Sequence, residues 1–248
     1  MGMKTRAELK QEVKQLFKGR WKNAILLCIV VSLLSMFGVL SNYSSRINHS
    51  DSLSDNHQMV TALFDKITMQ ELITALVAFL VVLLIELVFA FIVRIFAVGT
   101  SYSMLDWVRQ PDREIHAVSD STVGFTKKYA WPIIALQILQ GVLTLLWGLL
   151  LIVPGIIKSF AYSQTFYVYK DMLAATPAGQ PRPRFRDAIT RSRQLMHGHK
   201  FEYFVLQLSF IGWAILSIMT FGIGQLWLTP YRYGVFANYY QNLVDLAA

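Results

Sequence analysis

Glu86, Lys158 and Arg232 each stand inside a long run of apolar residues. A charge in such a setting is expensive to keep, so the groups found there pair with one another, hold a ligand or line an ion path. A Glu86–Arg232 pair would lower the cost of burying both groups. Lys158 lies about 5 Å along its helix from a Pro-Gly turn, at ~1.5 Å per residue, and can snorkel to the nearer surface. In PGIIKSFAYSQTFYVYKD (154–171), Lys158, Tyr162, Thr165 and Tyr169 recur at helical spacing, and Tyr231, Arg232, Asn238, Tyr239 and Tyr240 repeat the design further on. Such a polar face either lines a wet cavity or ties helices together through hydroxyl and amide groups. Glu86, Lys158, Tyr162, Thr165, Arg232 and Asn238 are therefore the candidate intramembrane site. Arg94 lies two turns beyond Glu86, out of reach of a contact between neighbouring turns, and marks the cytoplasmic boundary.

Little in the sequence points to catalysis. It has no HExxH, no GxSxG, no glycine-rich phosphate loop and no close pair of intramembrane carboxylates. His197 and His199, in HGH at a helix start, suit charge and hydrogen bonding better than metal ligation. The lone Cys28 provides neither a disulfide framework nor metal-type spacing. The expectation is a protein that is not an enzyme and needs no cofactor or metal.

The elements that must position these residues follow from hydropathy. The chain has 248 residues, of which 54% are hydrophobic and 15% charged, and its mean hydropathy is +0.43. Soluble domains average about 25% charged residues. Runs near the roughly 20 residues needed to cross a bilayer occur at 24–40, 72–98, 131–153 and 201–219, with weaker ones at 156–170 and 226–244. Of the 23 basic residues, all but Arg46, Lys66, Lys158 and Arg232 fall on one side of a six-span arrangement. By the positive-inside rule that side is cytoplasmic and holds both termini. This accounts for the basic excess without nucleic acid. Glu8, Glu12 and the absence of a small-residue cleavage site argue for an uncleaved first span.

Three glycines, Gly19, Gly124 and Gly198, each precede an apolar run, and KQLFKGRWK (14–22) aligns with RQLMHGHKF (193–201) without gaps. At one constant spacing Tyr129 matches Tyr203, Lys158 matches Arg232, Gln164 matches Asn238 and Asp171 matches Asp245, with Asp106 in a comparable place. The expected fold is an all-α polytopic bundle of six transmembrane helices in three tandem hairpins, N-in and C-in, joined by amphipathic interfacial connectors. As one membrane domain, 1–248, it divides into an N-terminal helix (3–22), a first hairpin (24–105, outer loop 41–71), a second with its connector (107–171) and a third (172–248).

Thr5 and Glu8 form a capping-box pattern that starts the first connector. Leu9, Val13, Leu16 and Phe17 fall on one face of it, and Lys10, Lys14 and Lys18 on others. The third connector follows the loop TPAGQPRPR (176–184) and sets Phe185, Ile189, Ser192 and Met196 on one stripe, with Arg186, Arg191 and Arg193 elsewhere. These basic faces are expected to meet the bilayer and its anionic head groups at the cytoplasmic surface.

KTRAELKQEVKQLFKGRW, PGIIKSFAYS, SRQLMHGHKFEYF, LSFIGW and GIGQLWLTPY together resemble the bacterial integral-membrane family called domain of unknown function 975. The resemblance covers nearly the whole chain and implies a bacterial plasma-membrane location, but no catalytic residues. The functional expectation is a non-enzymatic interaction or envelope-homeostasis component with a possible membrane-protein partner. The alternative is a transporter or lipid- or peptide-handling protein with a polar cavity between the second, fourth and sixth helices.

Overall fold

A computed structural model describes residues 2–34, 68–177 and 179–247. Residues 35–40 of the first expected span and all but the last four residues of the 41–71 loop lie outside the described residues. Among the described residues every regular element is helical. In chain order they are α1 (Arg6–Phe17), α2 (Trp21–Leu34), α3 (Met69–Arg109), α4 (Ala117–Ser121), a 3-10 turn (Val123–Phe125) and α5 (Ala130–Leu150). α6 (Ile152–Ala161), α7 (Thr165–Ala175), α8 (Phe185–Leu195), α9 (Lys200–Leu208), α10 (Ile211–Met219) and α11 (Gln225–Ala247) follow. The stretches Met69–Arg109, Ala130–Leu150 and Lys200–Met219 are long and apolar enough to cross a membrane.

Two helices start with the same device. Thr5 accepts from the Glu8 amide at 3.3 Å while its own amide donates to the Glu8 carboxylate at 2.7 Å. Thr68 and Glu71 do the same at 3.3 Å and 2.8 Å, opening α3. Each box satisfies amides that lack a partner within the helix. Gly19 and Gly198, which end the first and third connectors, take φ of +77° and +86°, a conformation that costs glycine little. The two connectors are thus alike in chain reversal as well as in sequence. The second is shorter, reduced to α4 and the 3-10 turn.

The apolar stripe of α1 covers protein rather than acyl chains. Leu9, Val13 and Phe17 are buried against α11, where Gly234 leaves the space they occupy: a Cβ there would lie 2.6 Å from Val13 Cγ1. Asn238 Nδ2 donates to Glu12 Oε2 at 2.8 Å and to the Leu9 carbonyl at 3.3 Å. Asn242 Oδ1 accepts from the Lys4 amide at 3.0 Å. α8 likewise buries Ala188, Ile189, Ser192 and Leu195, with Ser192 donating to the Ala161 carbonyl at 2.9 Å.

The fourth and fifth expected spans are broken. Pro154 and Gly155 lie in the first turn of α6, and the reversal comes at Leu151. Proline is tolerated there because the amide it lacks has no helical partner. A second break at residues 162–164 separates α6 from α7, and one at 209–210 separates α9 from α10. The core gathers where the C-terminal part of α3 meets α1, α7, α8, α9 and α11, around Phe17, Tyr102, Trp107, Tyr169, Tyr239 and Tyr240. In contrast, residues 68–90 of α3 are exposed on every side.

Candidate functional site: a two-arginine cavity

α3 sets Arg94, Ala97, Val98 and Ser101 on one face, three and four residues apart, and α11 sets Gln225, Thr229, Arg232, Tyr233 and Phe236 on another. These faces line an open cavity of about 420 Å³, together with Val31 of α2, Ser163 just before α7, Phe166 and Tyr167 at its start, and Tyr203 of α9. A second cavity of about 310 Å³ adjoins it, sharing Arg94, Ser163 and Phe166 and adding Gln137, Gln140, Thr144, Ser159 and Tyr162. Arg94 is therefore common to both.

Both arginines keep accessible surface. The Arg94 guanidinium lies 5.0 Å from the centre of the Phe166 ring, and that of Arg232 lies 5.9 Å from Phe236. Aromatic faces attract a cation without neutralising it. Among the described residues no carboxylate lines either cavity, and neither arginine forms an ion pair. The hydroxyls are partly committed: Ser101 donates to Ala97 O at 2.8 Å and Ser163 to Phe160 O at 2.8 Å. The Tyr167 hydroxyl meets Ser101, and the Tyr203 hydroxyl meets Ser163 and Gln207, so these groups form a polar wall beside the two cations. The arrangement suits an anion with several acceptor oxygens, because a guanidinium fork matches phosphate or carboxylate geometry.

The candidates from the sequence divide. Arg232 lines the larger cavity and Tyr162 the smaller, where the Tyr162 carbonyl accepts from Gln140 Nε2 at 2.6 Å. Thr165 is fully buried and donates to that same carbonyl at 2.8 Å. Lys158 lies outside both cavities, its ammonium 4.5 Å from the centre of the Trp147 ring in the α5–α6 hairpin. Asn238 holds α1 and lines neither cavity. The expected Glu86–Arg232 pair does not form: Glu86 is on the exposed half of α3, about 12 Å along the helix from Arg94 at ~1.5 Å per residue. Lys14, Lys18, Arg186, Arg191 and Arg193 are exposed. Lys10 is half-buried over the Phe210 ring at 4.5 Å, and burial, with Arg6 and Lys14 nearby, lowers its pKa. His199 Nδ1 meets Glu202 Oε2 at 2.9 Å.

Arg94 as a cavity residue, together with Ser101, Thr229 and Tyr233, is what the sequence reading missed. The available signal was the recurrence of polar residues three and four apart on 94–101 and 225–236, within otherwise apolar helices.

A sequence profile of the family described as "Protein of unknown function (DUF975)" matches residues 1–181 and 149–247. The chain belongs to this family. No curated protein and no solved structure matches it. Membership in the DUF975 family agrees with the helical, apolar architecture and assigns no role to any residue.

The second polar cluster lies at the C-terminal end of α3. Arg109 grips Asp171 with two hydrogen bonds of 2.7 and 2.8 Å, and its Nε donates to Gln241 Oε1 at 2.6 Å. Tyr240 donates to Asp171 at 2.7 Å, and Gln241 donates to Asp245 at 2.7 Å. Lys170 pairs with Asp106 and donates to the Tyr102 carbonyl at 2.7 Å, while Arg113 reaches Asp106 at 3.4 Å and Asp120 at 2.5 Å. Of the expected ends of three units, Asp171 and Asp245 thus share one network through Arg109 and Gln241, and Asp106 pairs with Lys170 beside it.

Proposed function

We propose that this DUF975 protein is a non-enzymatic, multi-pass component of the bacterial plasma membrane that holds an anionic lipid head group at Arg94 and Arg232. It is one membrane domain with both termini in the cytoplasm, and its role is lipid handling in envelope homeostasis. The observation that carries this reading is the pair of arginines on one cavity that no carboxylate lines among the described residues. A cation left unpaired at the edge of a membrane is costly unless an anion completes it.

The depth fits. From Leu72 to Val93 α3 rises about 32 Å at ~1.5 Å per residue, close to the roughly 30 Å of a hydrocarbon core. Arg94 then stands at the inner head-group level, where anionic lipids concentrate. The positive-inside distribution supports cytoplasmic termini. So does the meeting of Asp106, Asp171 and Asp245, which hairpins that all return to one side would produce. The exposed basic faces of α1 and α8, with Lys14, Lys18, Arg186, Arg191 and Arg193, would meet the same anionic surface.

Mass spectrometry of protein extracted gently with native lipid tests the proposal. Wild type is expected to retain an anionic phospholipid that Arg94→Gln/Arg232→Gln loses. Equal retention by the two, or none by wild type, would overturn it. A second reading, passage of a small anion, is favoured by the adjoining polar cavity that shares Arg94 and would show as anion flux in proteoliposomes.

A further inference from the structure

The α5–α6 and α10–α11 hairpins are long enough in sequence to reach across a bilayer, but what their legs pack against sets their height. Lys10 lies over the Phe210 ring at 4.5 Å and Lys14 over the Tyr231 ring at 5.8 Å. α1, whose Arg6, Glu8, Gln11, Lys14, Gln15 and Lys18 are exposed, is thereby tied to the level of residues 210 and 231. That charged face requires water or head groups, so this level is the membrane surface and not its middle. From there to the tip at Gly222 the legs span about 18 Å and about 14 Å at ~1.5 Å per residue. The α5–α6 hairpin behaves alike. Gln140 and the Tyr162 carbonyl, bonded at 2.6 Å, flank the cavity of Arg94, and from either to Leu151 is about 17 Å at ~1.5 Å per residue. All of these lengths are near half of a roughly 30 Å core.

The tips are built for hydrocarbon rather than for an aqueous far side. Residues 129–157 and 203–231 contain no charged residue, and Leu149, Leu150, Leu151, Ile152 and Val153 are all exposed. At the α10–α11 turn the amides of residues 220–225 all donate within the hairpin. Gly222 N donates to Ser217 O at 2.9 Å, and Gly224 N to the Thr220 hydroxyl at 3.1 Å. Backbone satisfied in this way can sit in lipid without water.

We infer that these two hairpins do not cross the bilayer but insert into one leaflet, their tips near the midplane, so that the partner of this surface is the acyl layer of the leaflet facing α1. α3 alone, among the described helices, has the free apolar length beyond Arg94 to cross.

The test uses full-length protein in native membranes with Cys28→Ala, or Cys28→Val should the first fail to fold, and single cysteines at Leu150, Ile223 or Met69. The probes are a membrane-impermeant maleimide added outside intact cells and a nitroxide whose collisions with oxygen and with a nickel chelate report depth. At Leu150→Cys and Ile223→Cys no outside labelling is expected, with strong oxygen and weak chelate collisions; Met69→Cys is expected to label. Outside labelling of the tips, or chelate collisions as frequent as in water, would overturn the inference. Inaccessible tips with Met69→Cys labelled only from within would instead retain the half-depth insertion and reject the cytoplasmic termini proposed above.

Discussion

Arginine occupies two kinds of setting in this protein. At the C-terminal end of α3, Arg109 and Arg113 are each held by carboxylates, and Lys170 by Asp106. A few turns earlier along α3, Arg94 faces a cavity shared with Arg232, and both meet aromatic rings instead. Both regions are built from α3, α7 and α11, so the difference is not one of scaffold. Where internal acids complete the cations, the region can close and fasten helix to helix. Where none does among the described residues, it is the place a diffusible anion would fill. The comparison separates residues that hold the fold from residues available for function.

That separation can be broken in graded ways. Asp171→Ala should do marked damage, because it strips Arg109 of its fork and Tyr240 of its acceptor. A loss of roughly 2 kcal/mol is expected, in the range for hydrogen bonds to charged groups, and would show as a lower unfolding temperature in mild detergent. Gly234→Leu should cost about 1–3 kcal/mol as an overpacking change, and should free α1 from α11, read as faster proteolysis before residue 20. Arg94→Gln and Arg232→Gln should each shift stability by less than about 0.5 kcal/mol, as substitutions outside structural networks do, while abolishing retention of anionic lipid. If instead they unfold the protein as Asp171→Ala does, the two settings are one.

Thr5→Ala should cost about 1 kcal/mol, a usual cap loss, confined to α1 in amide exchange. The pH dependence of this cap has a definite sign. Hydrogen bonds from Thr5 hold the Glu8 carboxyl below its ordinary value. Its contribution is therefore complete above the ordinary glutamate pKa of about 4.3 and is lost as pH falls through the lower folded value. Faster exchange of the first α1 amides below that range, and no change at neutral pH, is the expected result.

Much of this was legible in the sequence, and unevenly so. The long apolar runs at 72–98, 131–153 and 201–219 announce helices because nothing else satisfies a backbone in lipid, and the Thr5–Glu8 box marks its helix start. Thr68 and Glu71 have the same spacing, yet they fall within a stretch that composition assigns to a loop. The breaks at 151, 162–164 and 209–210 carry no proline at the break itself and depend on tertiary packing. Arg94 is legible as a boundary but not as a partner of Arg232, since only folding brings α3 and α11 together. The polar pattern of its helix suggests Asn238 as a cavity residue; the docking of α1, made possible by Gly234, converts it into a tether for Leu9 and Glu12.

The most direct test of the two-arginine site is thermal unfolding of detergent-solubilised protein titrated with a short-chain anionic phospholipid, its zwitterionic counterpart or inorganic phosphate. A ligand at 100 times its Kd adds about 2.7 kcal/mol to the folded state. The account predicts a rise in Tm with the anionic lipid alone, present in wild type and absent in Arg94→Gln/Arg232→Gln. An equal rise in wild type and variant, or one produced as well by the zwitterionic lipid, would contradict it; a rise with phosphate equal to that with lipid would assign the site to a free anion instead.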